Sequence, residues 1–183
     1  MTHSDHHNEI LIDKEGIWHF RGSEMKRRDI VLYLYKYLRK DHDGNYSIEI
    51  EDDRCKVRVE DTPYIIRSIA VGFSGNSGQP CIDLTLNDGS SERLNLDAPL
   101  RIGEDNVLYC MVKKGEHEAR FSRPAYYQFC EYIDYDSQRE KYRLVLSDIS
   151  YPLVLTGDAN GKTRPASGEF HKPNIINGGS NVR

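Results

Sequence analysis

Three clusters of polar side chains carry the residue types from which a polar binding site is built. They precede or follow predicted turns and boundaries, and together they comprise Trp18, His19, Arg27, Glu60, Asp61, Glu118, Arg120 and Arg123. Arginine supplies a planar, bidentate donor for anions, and tryptophan supplies a face on which a planar group stacks. Acids and arginines beside a boundary between structural units are typical of a ligand-binding cleft. The pattern therefore favours a cleft that holds a small polar or anionic ligand or a partner peptide.

Two other interpretations of these residues stay open. As a solvated face, the charges would form surface ion pairs worth about 0–1 kcal/mol each, and Trp18 would belong to the core. As a catalytic site, His19 would act with Glu60 or Asp61 as acid and base, which requires a hydrogen-bond reach of about 3 Å. Because the sequence gives the residue types without their separation, we expect binding rather than catalysis.

Other motif-like segments fail on spacing, so we predict neither a cofactor nor a metal site. The segment from Gly157 to Thr163 looks like a phosphate-binding loop, but Thr156 stands where its first glycine is required. The segment from Asp41 to Gly44 looks like part of a calcium loop, yet alignment on its glycine leaves the first and last ligand positions without oxygen ligands. We interpret it as a turn. The four cysteines form no CxxC pair, which indicates buried free thiols.

The elements that must position these residues begin with a hairpin and a helix. Two short apolar segments flank Lys14-Glu15-Gly16, which predicts a β-hairpin. Apolar residues then recur at helical spacing from Ile30 to Leu38. We predict that this helix is capped by Ser23 and that its C-terminal end carries Arg39 and Lys40, where positive charge suits the helix dipole.

Alternating apolar residues over 45–59 predict a second hairpin, and Pro63 ends its pairing. We predict an α+β protein of two small antiparallel sheet-plus-helix domains in one compact chain, residues 9–62 and 63–155. Residues 156–183 are rich in Gly, Asn, Pro and Lys, which predicts a mobile tail. The second half is expected to contain strands at 64–73, 81–86, 92–96, 107–112 and 117–121, a helix at 123–134, and strands at 142–146 and 153–155.

Composition and charge narrow the class of partner. The chain has 183 residues and a net charge of -4, which argues against nucleic acid or an anionic membrane as the main partner. No apolar run approaches the ~20 residues of a membrane-spanning helix, and the polar N-terminus lacks the apolar core of a signal peptide. We therefore expect a cytoplasmic protein that binds neither nucleic acid nor membrane.

Several motifs spaced along the chain carry a family resemblance. They are Gly16-x-Trp18, Gly22 and Met25-x-Arg27; Asp43-Gly44-x-Tyr46-x-Ile48; Val59-Glu60-Asp61-x-Pro63-Tyr64; Gly115, Glu118-Ala119-Arg120, Arg123 and Tyr126-Tyr127; and Ser147 with Tyr151-Pro152-Leu153. From about Ile10 to Leu153 the chain resembles a bacterial family of uncharacterised proteins, domain of unknown function 1285 (DUF1285). It departs from the family at Ile50-Glu51, Asp53 and Asp148-Ile149. The resemblance implies a two-domain α+β protein with a ligand-binding or signalling role and no known reaction.

A homo-oligomeric scaffold is a third class of function. Tyr33 and Tyr37 lie on one face of the predicted helix, and exposed strand edges in the second half offer further contact surface. The sequence determines neither the oligomeric state nor the ligand. We predict a non-catalytic ligand-binding or signalling module, with an enzyme or a scaffold protein as the alternative.

Overall fold

The computed structural model describes residues 10–75, 77–103, 107–136, 141–153 and 155–156. Within these ranges the chain forms two α-helices and three β-sheets, an α+β architecture as the sequence predicts. Of the predicted tail, only Thr156 lies within the described residues. The segment that looks like a phosphate-binding loop lies outside them.

The first sheet is built from the strands that surround the first helix. Its order is β3-β2-β1-β6-β5-β4, with β1 Ile10–Ile12, β2 Trp18–Phe20, β3 Ser23–Glu24, β4 Leu38–Lys40, β5 Tyr46–Ile50 and β6 Asp53–Val59. Both predicted hairpins, β1–β2 and β5–β6, are present and antiparallel. However, β1 also pairs with β6 in parallel. The sheet is therefore mixed rather than antiparallel. After β3 the chain passes through α1, β4 and β5 before β6 returns to lie beside β1.

The second sheet is also mixed, and a third sheet is antiparallel. The second has the order β16-β10-β11-β12-β7-β8-β9, with β7 Tyr64–Phe73, β8 Pro80–Leu86, β9 Ser91–Arg93, β10 Leu100–Ile102, β11 Leu108–Val112, β12 His117–Phe121 and β16 Leu155–Thr156. Strand β12 lies parallel to β7, and β10 lies parallel to β16. The third has the order β13-β14-β15, with β13 Ile133–Asp136, β14 Lys141–Leu146 and β15 Ile149–Pro152.

The first helix, α1, spans Arg28–Tyr37 and is shorter than predicted at both ends. Ser23 lies in β3, so it does not cap the helix, and the residue at the cap position makes no side-chain cap hydrogen bond. Leu38 adopts an extended conformation and pairs with Ile48. This pairing buries Leu38 in the sheet and moves Arg39 and the following lysine from a helix end to strand β4.

The second helix, α2 (Arg123–Cys130), begins where predicted and ends early. The Ser122 hydroxyl accepts the hydrogen bond of the Ala125 N–H, and a proline occupies the first turn. Buried Phe129 and Cys130 face the core. Ile133 falls within the predicted helix, but it lies in β13, where pairing with β14 replaces the last helical turn.

The large sheets share one contiguous core, to which Trp18 and Tyr35 contribute from the first half and Ile66 from the second. The Tyr35 hydroxyl donates to the Pro63 carbonyl at 2.8 Å, and the Asn87 side-chain amide donates to the same hydroxyl at 2.7 Å. The chain passes from the first sheet to the second between the end of β6 at Val59 and the start of β7 at Tyr64. The buried side chains of both halves pack into one core, which does not separate two domains. The division into two domains therefore stays a prediction.

The cysteines are free thiols, and Cys81, Cys110 and Cys130 are buried while Cys55 is half-buried. Burial raises the pKa of Cys110 to about 12, which leaves this thiol protonated at neutral pH. In the part of the chain described above, no helix has both the length and the apolar character that crossing a bilayer requires.

Candidate functional site

The turn of the first hairpin positions His19, and Asp13 holds that turn. The Asp13 carboxylate accepts two backbone N–H groups of the turn at 3.0 and 2.9 Å, and its other oxygen lies 2.9 Å from Nε2 of His19. Although partial burial opposes it, these hydrogen bonds lower the pKa of Asp13. A carboxylate of lowered pKa is a weak base. The imidazole thus pairs with Asp13, whereas the catalytic alternative required Glu60 or Asp61 as its partner.

Asp61 and Arg120 meet where the two large sheets join. Oδ2 of Asp61 accepts a hydrogen bond from the Tyr109 hydroxyl at 3.0 Å and lies 3.3 Å from Nη1 of Arg120. The same arginine nitrogen donates to the Lys14 carbonyl at 3.3 Å, and Glu60 accepts the Lys14 backbone N–H at 3.3 Å. These contacts tie the turn of the first hairpin to strands β11 and β12.

A bidentate ion pair extends this cluster. Nε and Nη2 of Arg101 each lie 2.6 Å from an oxygen of Glu118, and the guanidinium lies 3.8 Å from the centre of the Tyr109 ring. Burial raises the pKa of Tyr109 to about 12, and the charge of Asp61 adds to the effect. Because these donors and acceptors bind one another, the cluster joins the sheets. We call it the seam network: Lys14, Glu60, Asp61, Arg101, Tyr109, Glu118 and Arg120.

The remaining predicted site residues are placed differently, and the role of Trp18 requires correction. Its indole is 1% exposed and packs edge-on against Tyr35, with 4.9 Å between ring centres, so no ligand can stack on it. Burial of so large an apolar surface in the shared core stabilises the fold. Arg27 is an exposed residue paired with Asp29 at 2.6 Å, and Arg123 is exposed at the start of α2. The predicted residues therefore do not line one common hollow.

An open groove of about 1110 Å³ lies instead between α1 with β4 and the segment that leads into β12. The groove is lined by residues of both halves of the chain, but not by the side chains from which the cleft was predicted. None of the eight predicted site residues lines it. The lining consists of Leu32, Tyr35, Lys36, Leu38, Arg39, Lys40, Asp41, His42, Asp43, Gly44, Tyr64, Asp88, Lys113, Glu116 and His117.

One side of the groove carries positive charge, and we call Lys36, Arg39 and Lys40 the basic wall. Among the described side chains neither lysine forms an ion pair, and the Arg39 guanidinium donates at 3.0 Å to the backbone carbonyls of Lys36 and Leu38. The nearby Asp41 carboxylate accepts backbone N–H groups of its own turn at 3.0 and 2.8 Å. These hydrogen bonds lower its pKa. Within the described residues, the two lysines of the basic wall therefore make no direct ion pair with a carboxylate.

The opposite side holds its lysine in an ion-pair cluster. Nζ of Lys113 lies 2.7 Å from Asp88, 2.6 Å from the Ser90 hydroxyl and 3.4 Å from Glu92. Although burial opposes it, hydrogen bonds from Lys113 and Ser90 lower the pKa of Asp88. A serine beside a lysine has the composition of a nucleophile and its base. Here two carboxylates surround the amine and the Ser90 hydroxyl donates to Asp88 at 2.7 Å, so the cluster is structural.

His117 also lines the groove, at the start of β12. It is 6% exposed, its ring stacks on Tyr46 with centres 5.8 Å apart, and it contacts Tyr64 at 5.1 Å. Its Nδ1 lies 3.5 Å from the Tyr46 hydroxyl. Burial lowers the pKa of His117, and the positive charge of Lys40 adds to this shift. The free protein therefore presents a neutral imidazole to the groove at neutral pH.

The donors of the groove suit an anion. Ammonium, guanidinium and imidazole groups all offer N–H donors, and arginine matches the geometry of carboxylate, sulfate or phosphate. Nowhere in the described ranges do three His, Cys, Asp or Glu side chains come together as metal ligands.

Sequence reasoning missed this surface because Arg39 and Lys40 had a structural explanation as cations at a helix end. The available signal was the density of cations over 36–42, directly before the turn at Asp41. That turn is present as predicted, with the Gly44 N–H donating to the Asp41 carbonyl at 3.1 Å. The strand containing His117 was predicted correctly, but no local pattern indicated that this residue lines the same groove as β4.

Two solved structures share this fold. A DUF1285 family protein from Silicibacter pomeroyi DSS-3 is 21% identical, with a TM-score of 0.64 over 79% of each chain. A DUF1285 family protein from Shewanella baltica OS155 is 17% identical, with a TM-score of 0.53 over 69% of this chain and 94% of that one. No family model and no curated protein matches the sequence. The shared fold supports the resemblance to DUF1285 that the spaced motifs carry.

Proposed function

We propose that this protein is a non-catalytic binding module whose ligand is a small anion held by the basic wall of the groove. The observation that carries the proposal is the set of three cations, Lys36, Arg39 and Lys40, which line one concave surface without a carboxylate partner among the described side chains. Clustered like charges cost free energy that a bound anion relieves. The groove is also lined by Asp41, Asp43, Asp88 and Glu116, so the attraction for an anion is assigned to the basic wall and not to the net charge of the groove.

The seam network is the weaker candidate for the ligand site. Asp61, Glu118 and their arginine partners already hold one another at hydrogen-bond distance, so a ligand would have to break an existing pair. The cations of the basic wall require no such exchange. The ligand-binding role that the family resemblance implies is therefore proposed for the groove.

A titration followed by NMR tests the proposal. Sulfate is added to ¹⁵N-labelled protein at constant ionic strength, balanced with chloride, and the backbone amide shifts are followed. We expect saturable shifts of the amides of Lys40 and His117. The double variant Lys36→Ala, Lys40→Ala should weaken binding at least tenfold, because two charge-assisted contacts are lost. The matched control is Lys26→Ala, Lys56→Ala, which removes two exposed lysines outside the groove.

The control variant should bind sulfate as the wild type does. The proposal is wrong if the groove amides do not shift in a saturable manner, or if both double variants lose affinity equally. Equal loss would show that sulfate responds to net charge alone, without a defined site.

A further inference from the structure

We infer that His117 senses the charge of the bound anion, taking up a proton when the anion enters the groove. This inference rests on the proposed function, because it concerns the same groove. It goes beyond that function by assigning a specificity-determining residue and a coupling between ligand and proton. Lys40 and His117 both line the groove, although they belong to different sheets.

The contacts of the imidazole leave one nitrogen for a ligand. Nδ1 of His117 faces the Tyr46 hydroxyl at 3.5 Å, whereas Nε2 has no hydrogen bond to any described residue. Among the described side chains, the polar atom that is both fully buried and without a hydrogen bond is Nε1 of Trp18. Nε2 of His117 also lacks a hydrogen bond to a described residue but is not fully buried, so it keeps access to the groove that the ring lines. A protonated Nε2 would donate a charge-assisted hydrogen bond to an anion there.

The charges around the ring explain the coupling. Burial is the main reason that the pKa of His117 is lowered, and Lys40, Lys113 and Arg39 lower it further while Glu116 opposes them. An anion beside Lys40 and His117 offsets the repulsion between the imidazolium and these cations. Binding therefore raises the pKa of the histidine, and protonation in turn strengthens binding.

Two tyrosines pack against the ring, and burial raises the pKa of Tyr46 to about 12 and also raises that of Tyr64. The charged groups that act on the ring are Lys40, Lys113, Arg39 and Glu116. The other histidine of the groove is His42, so the matched control is taken outside the groove. His19 lies outside the groove lining, with Nε2 2.9 Å from the Asp13 carboxylate.

The test repeats the sulfate titration at several pH values between 5.5 and 8.0, a range in which sulfate itself does not titrate. We expect the affinity to rise as the pH falls, by up to tenfold per pH unit, which corresponds to one proton per bound ligand. His117→Gln should retain binding at pH 8.0 and lose the pH dependence. His19→Gln, the control outside the groove, should keep both.

A direct measurement keeps the inference testable if His117→Gln does not fold. The ¹⁵N shifts of the imidazole distinguish neutral from protonated histidine, and those of His117 in the wild type should move toward the protonated form when sulfate is added at pH 7. Sulfate binding with no pH dependence, or with an imidazole that stays neutral, overturns the inference but leaves the proposed function intact. Absence of sulfate binding at every pH overturns both.

Discussion

Replacement of Gly16 by alanine is expected to weaken the contact between the first hairpin and the second sheet. Gly16 has φ +75°, and an added Cβ would lie 2.5 Å from Cγ1 of Ile65 and 2.6 Å from Nδ2 of Asn87. Nδ2 of Asn87 donates to the Tyr35 hydroxyl and, at 3.2 Å, to the Pro63 carbonyl. A shift of Asn87 therefore disturbs a partly buried network that links α1 to the second half of the chain.

Gly22 provides the matched control, because its φ is +77° and an added Cβ meets no atom within 4 Å. Both alanines bear the cost of a left-handed conformation, about 1–2 kcal/mol, partly offset by the reduced entropy of the unfolded chain. Gly16→Ala adds overpacking against Ile65, about 1–3 kcal/mol. Loss of a buried Asn87 hydrogen bond adds about 1–3 kcal/mol more. We expect Gly16→Ala to destabilise the protein by about 2–6 kcal/mol more than Gly22→Ala.

The free energy of unfolding is measured by urea titration of the wild type and both variants, followed by circular dichroism and by the fluorescence of Trp18. Because Trp18 lies in the shared core, both signals should change together. The reasoning would be refuted if the two alanine variants differed by less than about 0.5 kcal/mol, the range of ordinary surface substitutions. Such a result would mean that the hairpin turn does not pack against β7 as described.

Three further substitutions and one control, Arg27→Ala, test other parts of the structure in the same urea assay. Ser122→Ala removes the cap of α2 and should cost about 1 kcal/mol; an unchanged midpoint would contradict that role. Asp61→Ala removes an acceptor shared by two donors of the seam network and should cost about 1–3 kcal/mol. The control Arg27→Ala removes an exposed arginine and should leave the urea midpoint unchanged. Equal midpoints for the two variants would argue against a structural role for the seam network. Burial and the charge of Lys40 lower the pKa of His117 from 6.5. Its contribution to stability should therefore be present above pH 6.5 and lost as the pH falls through the folded-state pKa. His117→Asn should flatten this dependence between pH 5 and 7, and a curve parallel to that of the wild type would contradict the burial of a neutral imidazole.

Local patterns were sufficient to predict several elements. The hairpin around Gly16, the strand Tyr64–Phe73 and the start of α2 at Arg123 all match. Their signals, which are a turn glycine, a run rich in Ile and Val, and a proline that fits the first helical position, act within a few residues. The helix ends were predicted less well, because Leu38 continues the helical period yet gains a strand partner in Ile48. Tertiary pairing overrides local propensity there.

The sequence by itself determined the α+β class, most strand positions and the turn that follows the basic residues, since these depend on short-range periodicity and backbone preference. Only the tertiary structure decided that Trp18 is sealed in the core, that β1 lies beside β6, and that Lys40 and His117 line the same groove. The physical reason is that such contacts join residues far apart in the chain. Their formation depends on how the whole core packs, and no local pattern records which distant partner a side chain meets.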